Sequence, residues 1–522
     1  IPSFFRTGVT AIHSLSFMTG NERVQTYFSY ANTTGKGILE NHKLSKHNIN
    51  LRETATFYEG RLKIDGNVNL LSQHVKNRPV PGGFYMNPLV GLYRFPRGMD
   101  ITEYKEHFEV WNEERHLNVQ NWHAPTEDFE QNPYWIRERI TSRDQRIRAI
   151  ASLALNLKIA NCFSVQARGN VDYVNDKFRQ KYYASTAPAL AGNNGRYIDS
   201  GNEQVQTYGD VIGTYKGKFN DFSLDVSLGA SINRKKVNEL RYDSKTASLK
   251  FANVFNIANI NMNTSAYISE QIDAVREMQS LFVTVQVGFR DYLFLDVSAR
   301  NDWSSTLAYT TKESRGFFYP SVGLSWLVNR VLKLPEQVTS GKVRATWSKV
   351  GNANPDFTLG WTNTFSWKGL VLSLLVDGRY GGKVLSQTQA DMDMYGVTKV
   401  TGDARDKGYV MLEGQKITNV KGFYKSIVGG RAGVTEYYMY DATNFRLREL
   451  ALGYTFPKRW MDATKFFRDV QLAFTARNLF FIYKKAPFDP DLILSTGNDN
   501  QAIEVYGMPT TRSMGFSLRV MF

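Results

Sequence analysis

The 522-residue sequence has a single cysteine, Cys162, so it cannot form an internal disulfide or a multi-cysteine metal site. Its seven histidines all lie in the first quarter of the chain, and none shows the i, i+4 spacing of paired zinc ligands on a protease helix. The phosphate-binding glycine patterns that follow a strand and the Gly-x-Ser-x-Gly motif of hydrolases are both missing. The sequence therefore predicts no metal, no cofactor, no catalytic residue and no enzyme.

Long hydrophobic runs and clustered charge are also scarce. No run approaches the ~18 apolar residues of a membrane helix, and the mean hydropathy is −0.37. A hydropathy average does not detect membrane-spanning strands, because they alternate lipid-facing and lumen-facing residues and so have a polar mean. The net charge is +15, but Lys and Arg are scattered without a run of five. We therefore expect no nucleic-acid partner.

The sequence is rich instead in alternating segments, of which the C-terminal stretch is the clearest. One side of an extended strand carries apolar and aromatic residues and the other carries mostly small or polar ones: Phe516, Leu518, Val520 and Phe522 against Gly515, Ser517, Arg519 and Met521. Similar segments lie at 62–70, 153–159, 222–233, 293–300, 343–347, 450–456 and 470–476. We count about seventeen candidate strands between Gly8 and Phe522.

Such a strand is either the edge of a soluble sheet or part of a closed barrel. An exposed alternating edge invites aggregation, whereas a barrel pairs its last strand with its first. The connections also favour a barrel, because short turns near 218–221, 289–292 and 367–370 contrast with long polar loops at roughly 73–143, 383–441 and 483–509. This asymmetry is typical of outer-membrane barrels. One charged stretch, 101–114, predicts a helix within a loop.

Ordered motifs then make the assignment specific. They are Phe4-Phe5-Arg6-Thr7-Gly8, Thr26-Tyr27-Phe28-Ser29-Tyr30, Asp302-Trp303-Ser304-Ser305, the segments 318–326, 343–347 and 350–352, Asn444-Phe445-Arg446-Leu447-Arg448-Glu449-Leu450, Ala476-Arg477-Asn478-Leu479 and Phe488-Asp489-Pro490-Asp491. In this order, over nearly the whole chain, they resemble TonB-dependent outer-membrane transporters of the SusC/RagA type. The resemblance implies an all-β fold, a large antiparallel transmembrane β-barrel of about 22 strands in the complete protein.

The sequence departs from that family in two places. Family members carry a plug domain before the barrel, and we expect the plug to be absent from this chain, so that residues 1–522 form barrel only. The chain also starts at Ile1 without a methionine or signal peptide, so we expect the gene to begin upstream. In addition, Pro355 follows Asn352 almost at once, where the family usually has several more strands. We therefore predict a missing segment near 351–355.

The function that the resemblance implies is active import of large nutrients across the outer membrane of a Gram-negative bacterium. The cargo would be glycans, which we favour modestly, or oligopeptides, and TonB would supply the energy through the plug. A SusD-like surface lipoprotein would cap the barrel, outer-membrane lipids would surround it, and the transporter–lipoprotein pair would form a dimer. Two alternatives are a passive porin and a structural or secretion-associated barrel without transport.

Candidate binding residues divide into two groups. The first group, predicted to contact substrate, consists of Trp122, Asn132, Tyr134, Trp135 and Trp303; the alternative is that these residues pack loops together or form the aromatic girdle. The second group, predicted to face the plug or solute in the lumen, consists of Arg300, Arg344, Arg448, Arg477 and Arg519. The carboxylate pairs Asp391/Asp393 and Asp489/Asp491 are interpreted as solvated turns rather than as calcium or acid–base sites.

Overall fold

The computed structural model describes residues 4–79, 85–124, 130–245, 249–261, 267–307, 316–327, 330–331, 342–348, 357–412, 414–428, 436–464, 466–494, 502–508 and 510–522. The predicted missing segment near 351–355 lies outside these ranges. No helix within them combines the length and the apolar character that crossing a membrane requires.

Extended strands dominate the chain. In chain order they are β1 (Val9–Gly20), β2 (Val24–Lys36), β3 (Lys43–Phe57), β4 (Leu62–Lys76), β5 (Glu109–Asn112), β6 (Leu117–Gln120), β7 (Ile140–Lys158), β8 (Phe163–Tyr182), β9 (Arg196–Phe219), β10 (Phe222–Asp243), β11 (Tyr267–Phe289), β12 (Leu293–Ser304), β13 (Phe317–Leu327), β14 (Lys342–Ser348), β15 (Phe357–Trp367), β16 (Leu370–Tyr380), β17 (Lys383–Ser386), β18 (Val410–Leu412), β19 (Gln415–Ile417), β20 (Met439–Asp441), β21 (Asn444–Thr455), β22 (Asp469–Lys484), β23 (Ile503–Glu504) and β24 (Ser513–Met521).

Helices are short and lie between strands. They are α1 (Pro88–Arg94), α2 (Ile101–Glu106), α3 (Pro133–Arg139), α4 (Gln387–Met394), α5 (Lys399–Lys407), α6 (Val420–Val428) and α7 (Lys458–Thr464). The predicted helix at 101–114 is confirmed only in its first half as α2, because β5 begins at Glu109.

Two antiparallel sheets contain all the long strands. Twelve strands follow the order β1-β2-β3-β4-β7-β8-β9-β10-β11-β12-β13-β14, and five follow the order β15-β16-β21-β22-β24. Each strand pairs with its sequence neighbours once the small loop strands are set aside. In the described residues these two sheets have seventeen strands, in agreement with the about seventeen that the alternation predicts, and the all-β fold class is confirmed. In the described ranges β24 pairs with β22 and β1 with β2, and no ladder between β24 and β1 is seen.

The two faces of the larger sheet differ sharply. On one face, which we call the apolar face, side chains such as Ile49, Leu51, Val68 and Leu155 remain 38–47% exposed. The opposite, polar face carries hydrogen-bonded pairs, for example between the side chains of Asn50 and Asn67. Apolar residues outside and paired polar residues inside are the reverse of a soluble protein, and they suit a wall between lipid and a wet lumen.

The connections differ between the two ends of the sheets. At the short-turn end, Lys368 and Gly369 join β15 to β16 with positive φ at both positions, the backbone of a tight type I′ hairpin. The long-loop end carries the described residues of the connections β4–β7, β16–β21 and β22–β24, close to the three long loops that the sequence predicts. It also carries 183–195, 244–245 and 249–261, which the sequence does not reveal.

Among the described residues, most of the buried apolar side chains lie in these loops or in strand ends that pack against them. The largest fully buried side chains include Trp135, Tyr134, Tyr438, Tyr506 and Phe4, none of which belongs to a long strand. One apolar cluster joins Phe4 with Leu89, Tyr134 and Tyr506, which come from four distant parts of the chain. The loops therefore form a packed layer of their own.

The alternation of faces can be tested by cysteine labelling in a Cys162→Ser background. We expect Leu155→Cys on the apolar face to react with a lipid-soluble maleimide and to resist a charged, water-soluble one. Ala154→Cys, its neighbour on the polar face, should show the opposite preference, because adjacent strand residues point to opposite faces. Equal labelling of the two positions by both reagents would contradict the assignment of the faces.

Candidate functional site

Arginine–carboxylate pairs are the main polar feature of the sheets. On the polar face, Arg146 reaches Asp176 at 2.7 Å and Arg168 reaches Asp210 at 2.6 Å, each directly across a strand pair. Further pairs on that face are Arg52–Asp65, Arg148–Asp172 and Arg300–Asp302, and the smaller sheet carries Arg448–Asp377 and Arg477–Glu449. Exposed pairs of this kind add little stability, about 0.2–1 kcal/mol each. Their effect is to hold the guanidinium groups in fixed positions along a hydrated surface.

Three long loops meet at the long-loop end in a layer that we call the loop assembly. It comprises 85–124 and 130–139 between β4 and β7, 381–412 and 436–443 between β16 and β21, and 485–494 and 502–508 between β22 and β24. Backbone pairing connects two of the loops, since β17 lies antiparallel to β20 and parallel to β23.

A buried ion pair ties all three loops together. Arg94, at the end of α1, donates from Nη2 to Asp391 Oδ2 in α4 at 2.9 Å, and both side chains are almost completely buried. The hydroxyl of Tyr506 donates to the same oxygen at 2.9 Å, and Asn87 Nδ2 donates to the Tyr506 carbonyl at 2.7 Å. Burial raises the pKa of Tyr506 well above its ordinary value, so the phenol stays a donor.

A second buried carboxylate, Asp393, lies two residues further along the same helix. Its oxygens accept from Thr398 at 2.6 Å, from Gln389 at 3.0 Å and from the Tyr438 hydroxyl at 3.2 Å. Burial raises the pKa of Asp393 above its usual range, although these donors oppose the shift. The interpretation of Asp391 and Asp393 as solvated turns is wrong, because both are buried in α4. Asp391 joins the three loops, whereas the partners of Asp393 given above lie within its own loop.

Four of the predicted substrate-contact residues lie inside the loop assembly. Trp122, Tyr134 and Trp135 are at most 5% exposed, and Trp135 Nε1 donates to Thr186 Oγ1 at 3.1 Å. Asn132 caps α3: its side chain accepts from the Tyr134 amide, and its Nδ2 donates to two carbonyls. These contacts match the alternative that the aromatics pack loops together, and a ligand role for the four residues stays a prediction.

The other predicted site residues lie on the sheets. Trp303 shares the apolar face of β12 with Leu295 and Val297 and is 41% exposed, which suits an aromatic girdle. Arg344 belongs to β14, and its side chain is outside the described set. Arg519, the partner of Gln471 across β22 and β24, is exposed. Arg300, Arg448 and Arg477 form the pairs given above, and contact of any of these arginines with plug or solute stays a prediction.

Sequence reasoning missed an ion cluster where β16 and β21 meet the β22–β24 connection. Its members are Arg379, Arg446, Arg448, Asp377, Asp489 and Asp491. Arg446 is only 3% exposed and contacts all three aspartates. The motifs 444–450 and 488–491 contain most of these residues, but nothing in the sequence shows that the two motifs meet. Asp489 and Asp491 therefore do more than shape a turn.

The arrangement suits binding and positioning. In the part of the chain that the structure describes, no group of three or more His, Cys, Asp or Glu side chains is placed to hold a metal ion. The buried carboxylates already accept bonds from arginine, hydroxyl and amide donors. The loop assembly is thus a layer held in place by buried ion pairs and hydrogen bonds, at one end of a sheet lined with polar side chains.

The bracing can be tested at Asp391. Asp391→Ala leaves Arg94 buried without its carboxylate, which should destabilise the loop assembly by about 3–5 kcal/mol. Hydrogen exchange should then show earlier opening of α1, α4 and 502–508. Asp403→Ala removes the exposed Lys399–Asp403 pair of the same loop and should cost less than about 0.5 kcal/mol. The role of Asp391 is contradicted if the two variants exchange alike.

Comparisons with known proteins agree with this architecture. Residues 74–369, more than half of the chain, match the family described as TonB dependent receptor-like, beta-barrel. A curated relative, TonB-dependent receptor P3 of Formosa agariphila, is 24% identical over 178 residues, which cover 33% of this chain. The match spans only 17% of that relative's length.

Solved structures share the fold. The RagAB peptide transporter is 12% identical with a TM-score of 0.58, covering 98% of this chain and 75% of that one. The RagAB peptide importer in its open-open state reaches a TM-score of 0.60 at 12% identity, covering 99% and 76%. The resemblance to SusC/RagA-type barrels is confirmed at the level of fold. The chain belongs to the TonB-dependent receptor-like β-barrel family, as a barrel of the outer membrane.

Proposed function

We propose that the protein imports large nutrients across the outer membrane, with energy delivered through TonB. A plug domain outside this chain would fill the lumen, and the polar face would line the path around it. The cargo would be glycans or oligopeptides, and a SusD-like surface lipoprotein would close over the barrel, in pairs that form a dimer. The name of the RagAB neighbours refers to peptide transport, which supports the oligopeptide alternative.

The observation that carries this proposal is the buried node of Arg94, Asp391 and Tyr506. A passive porin needs only a hydrated wall, and its function does not require loops that share a buried core. Here three loops are locked into one layer at the end that is extracellular in such barrels. A fixed platform of this kind suits a lid that must dock repeatedly in one position.

The importing role predicts energy-dependent uptake. Cells that produce the complete protein should accumulate fluorescently labelled oligosaccharides or oligopeptides, and removal of TonB or of the proton gradient should abolish that accumulation. Parallel assays with glycan and peptide pools would identify the cargo class. Uptake that persists without TonB would indicate a porin, and partners that co-purify without any uptake would indicate a structural or secretion-associated barrel.

The lid can be tested through the same node. A surface lipoprotein should co-purify with wild-type protein and with Asp403→Ala, and its yield should fall in Asp391→Ala, because the docking platform has lost its brace. Identical recovery of a lipoprotein from all three proteins would contradict a docking role for the loop assembly while leaving TonB-dependent uptake untouched.

A further inference from the structure

A row of positive charges crosses the apolar face near the long-loop end. Directly opposed residues on successive strands are Lys36 with Lys43, Lys43 with Lys76, Lys76 with Arg143, and Arg143 with Arg179. These five residues, which we call the cation row, span β2, β3, β4, β7 and β8. Adjacent strands lie about 4.8 Å apart, so the row extends over about 19 Å.

The strand period places the cation row on the lipid side. Lys43 is an even number of residues from Ile49 and Leu51, and Lys76 is an even number from Val68 and Leu70, so they share a face. Those four apolar side chains are 39–47% exposed. The pairs Arg146–Asp176 and Arg168–Asp210 occupy the other face. The row therefore borders the apolar belt at its long-loop end, where the head groups of the outer leaflet begin.

Like charges directly opposite one another across strands are destabilising unless something neutralises them. At one end Arg179 donates to Asp199 at 2.8 Å. In the described ranges Lys36, Lys43, Lys76 and Arg143 show no ion pair, and the neighbouring Asp144 pairs with Arg78 instead. Four consecutive strands thus each present a cation that lacks a counter-charge among the residues that the structure describes.

The row also borders a recess. A groove of about 830 Å³ is lined by Lys36, Lys43, Lys76, Arg143 and Lys177, with Asp144 the one carboxylate in its wall. A concave, cationic surface at head-group depth complements phosphate groups carried on lipid, because juxtamembrane Lys and Arg residues are attracted to anionic membrane surfaces.

We propose that the cation row binds the phosphate groups of an outer-leaflet glycolipid. The phosphates supply the missing counter-charge, the sugar moiety fills the groove, and the acyl chains run down the apolar belt below. This inference rests on the outer-membrane location and is independent of the cargo or the lid.

The test uses the complete protein, extracted from its native membrane and delipidated. Binding of bis-phosphorylated lipid A, of its dephosphorylated form and of inorganic phosphate would be measured by native mass spectrometry. The variant Lys43→Gln/Lys76→Gln/Arg143→Gln removes three charges from the row. The control Lys407→Gln/Lys421→Gln/Lys425→Gln removes three exposed charges from the long loop between β16 and β21.

We expect the row variant to bind the bis-phosphorylated lipid at least about tenfold more weakly than wild type, with the control unchanged. Wild type should also prefer that lipid at least about tenfold over the dephosphorylated form, and inorganic phosphate should not compete at millimolar concentration. Heat-dependent gel mobility would verify folding, and Lys76→Gln alone would replace the triple variant if that variant fails to fold.

Four results would overturn the proposal. Equal lipid binding by the row variant and the control would show that the cation row is not part of the lipid site. Equal affinity for the two lipids would show that the protein does not recognise the phosphate groups. Tight binding of inorganic phosphate would show that the groove binds a free anion. Loss of an acidic protein partner in the row variant, with lipid binding intact, would assign the row to a protein interface.

Discussion

Every backbone N–H and C=O inside a bilayer must be bonded within the protein, because no water is present to replace a missing partner. Long antiparallel strands meet this requirement by pairing with their neighbours, and the rest of the structure depends on that solution. A strand alternates its side chains between two faces. One face can then carry Ile49 and Leu155 toward lipid while the other carries Arg146 and Asp176 toward water.

This arrangement leaves the sheets without an apolar interior, so most of the buried core lies in the loops. Tyr134, Trp135 and Tyr506 are as buried as any residue of a soluble domain. Their polar atoms are bonded as burial requires: Trp135 to Thr186, and Tyr506 to Asp391. The protein therefore has two stabilising systems, backbone pairing in the wall and side-chain packing above it.

The wall could be predicted from the sequence, and the loop assembly could not. Alternation in 222–233 or 470–476 is a local pattern, so each strand can be predicted from a few consecutive residues. Arg94 and Asp391 are 297 positions apart, and no local pattern indicates that they meet. Helix α4 has little apolar periodicity, and its buried residues are Ala390, Asp391 and Asp393. The sequence alone assigns the two aspartates to solvent. The sequence singles out Trp122 and Trp135 as candidate substrate contacts. Whether an aromatic side chain faces a ligand or another loop depends on those same distant contacts.

The composition of the loop core has a consequence for biogenesis. Leu89 and Tyr134 are covered by Tyr506, which precedes β24, and contacts of such high sequence separation form late. The cluster therefore stays incomplete until the segment before β24 folds against it. A chain that ends before Tyr506 would lack both β24 and the side chain that completes the loop core.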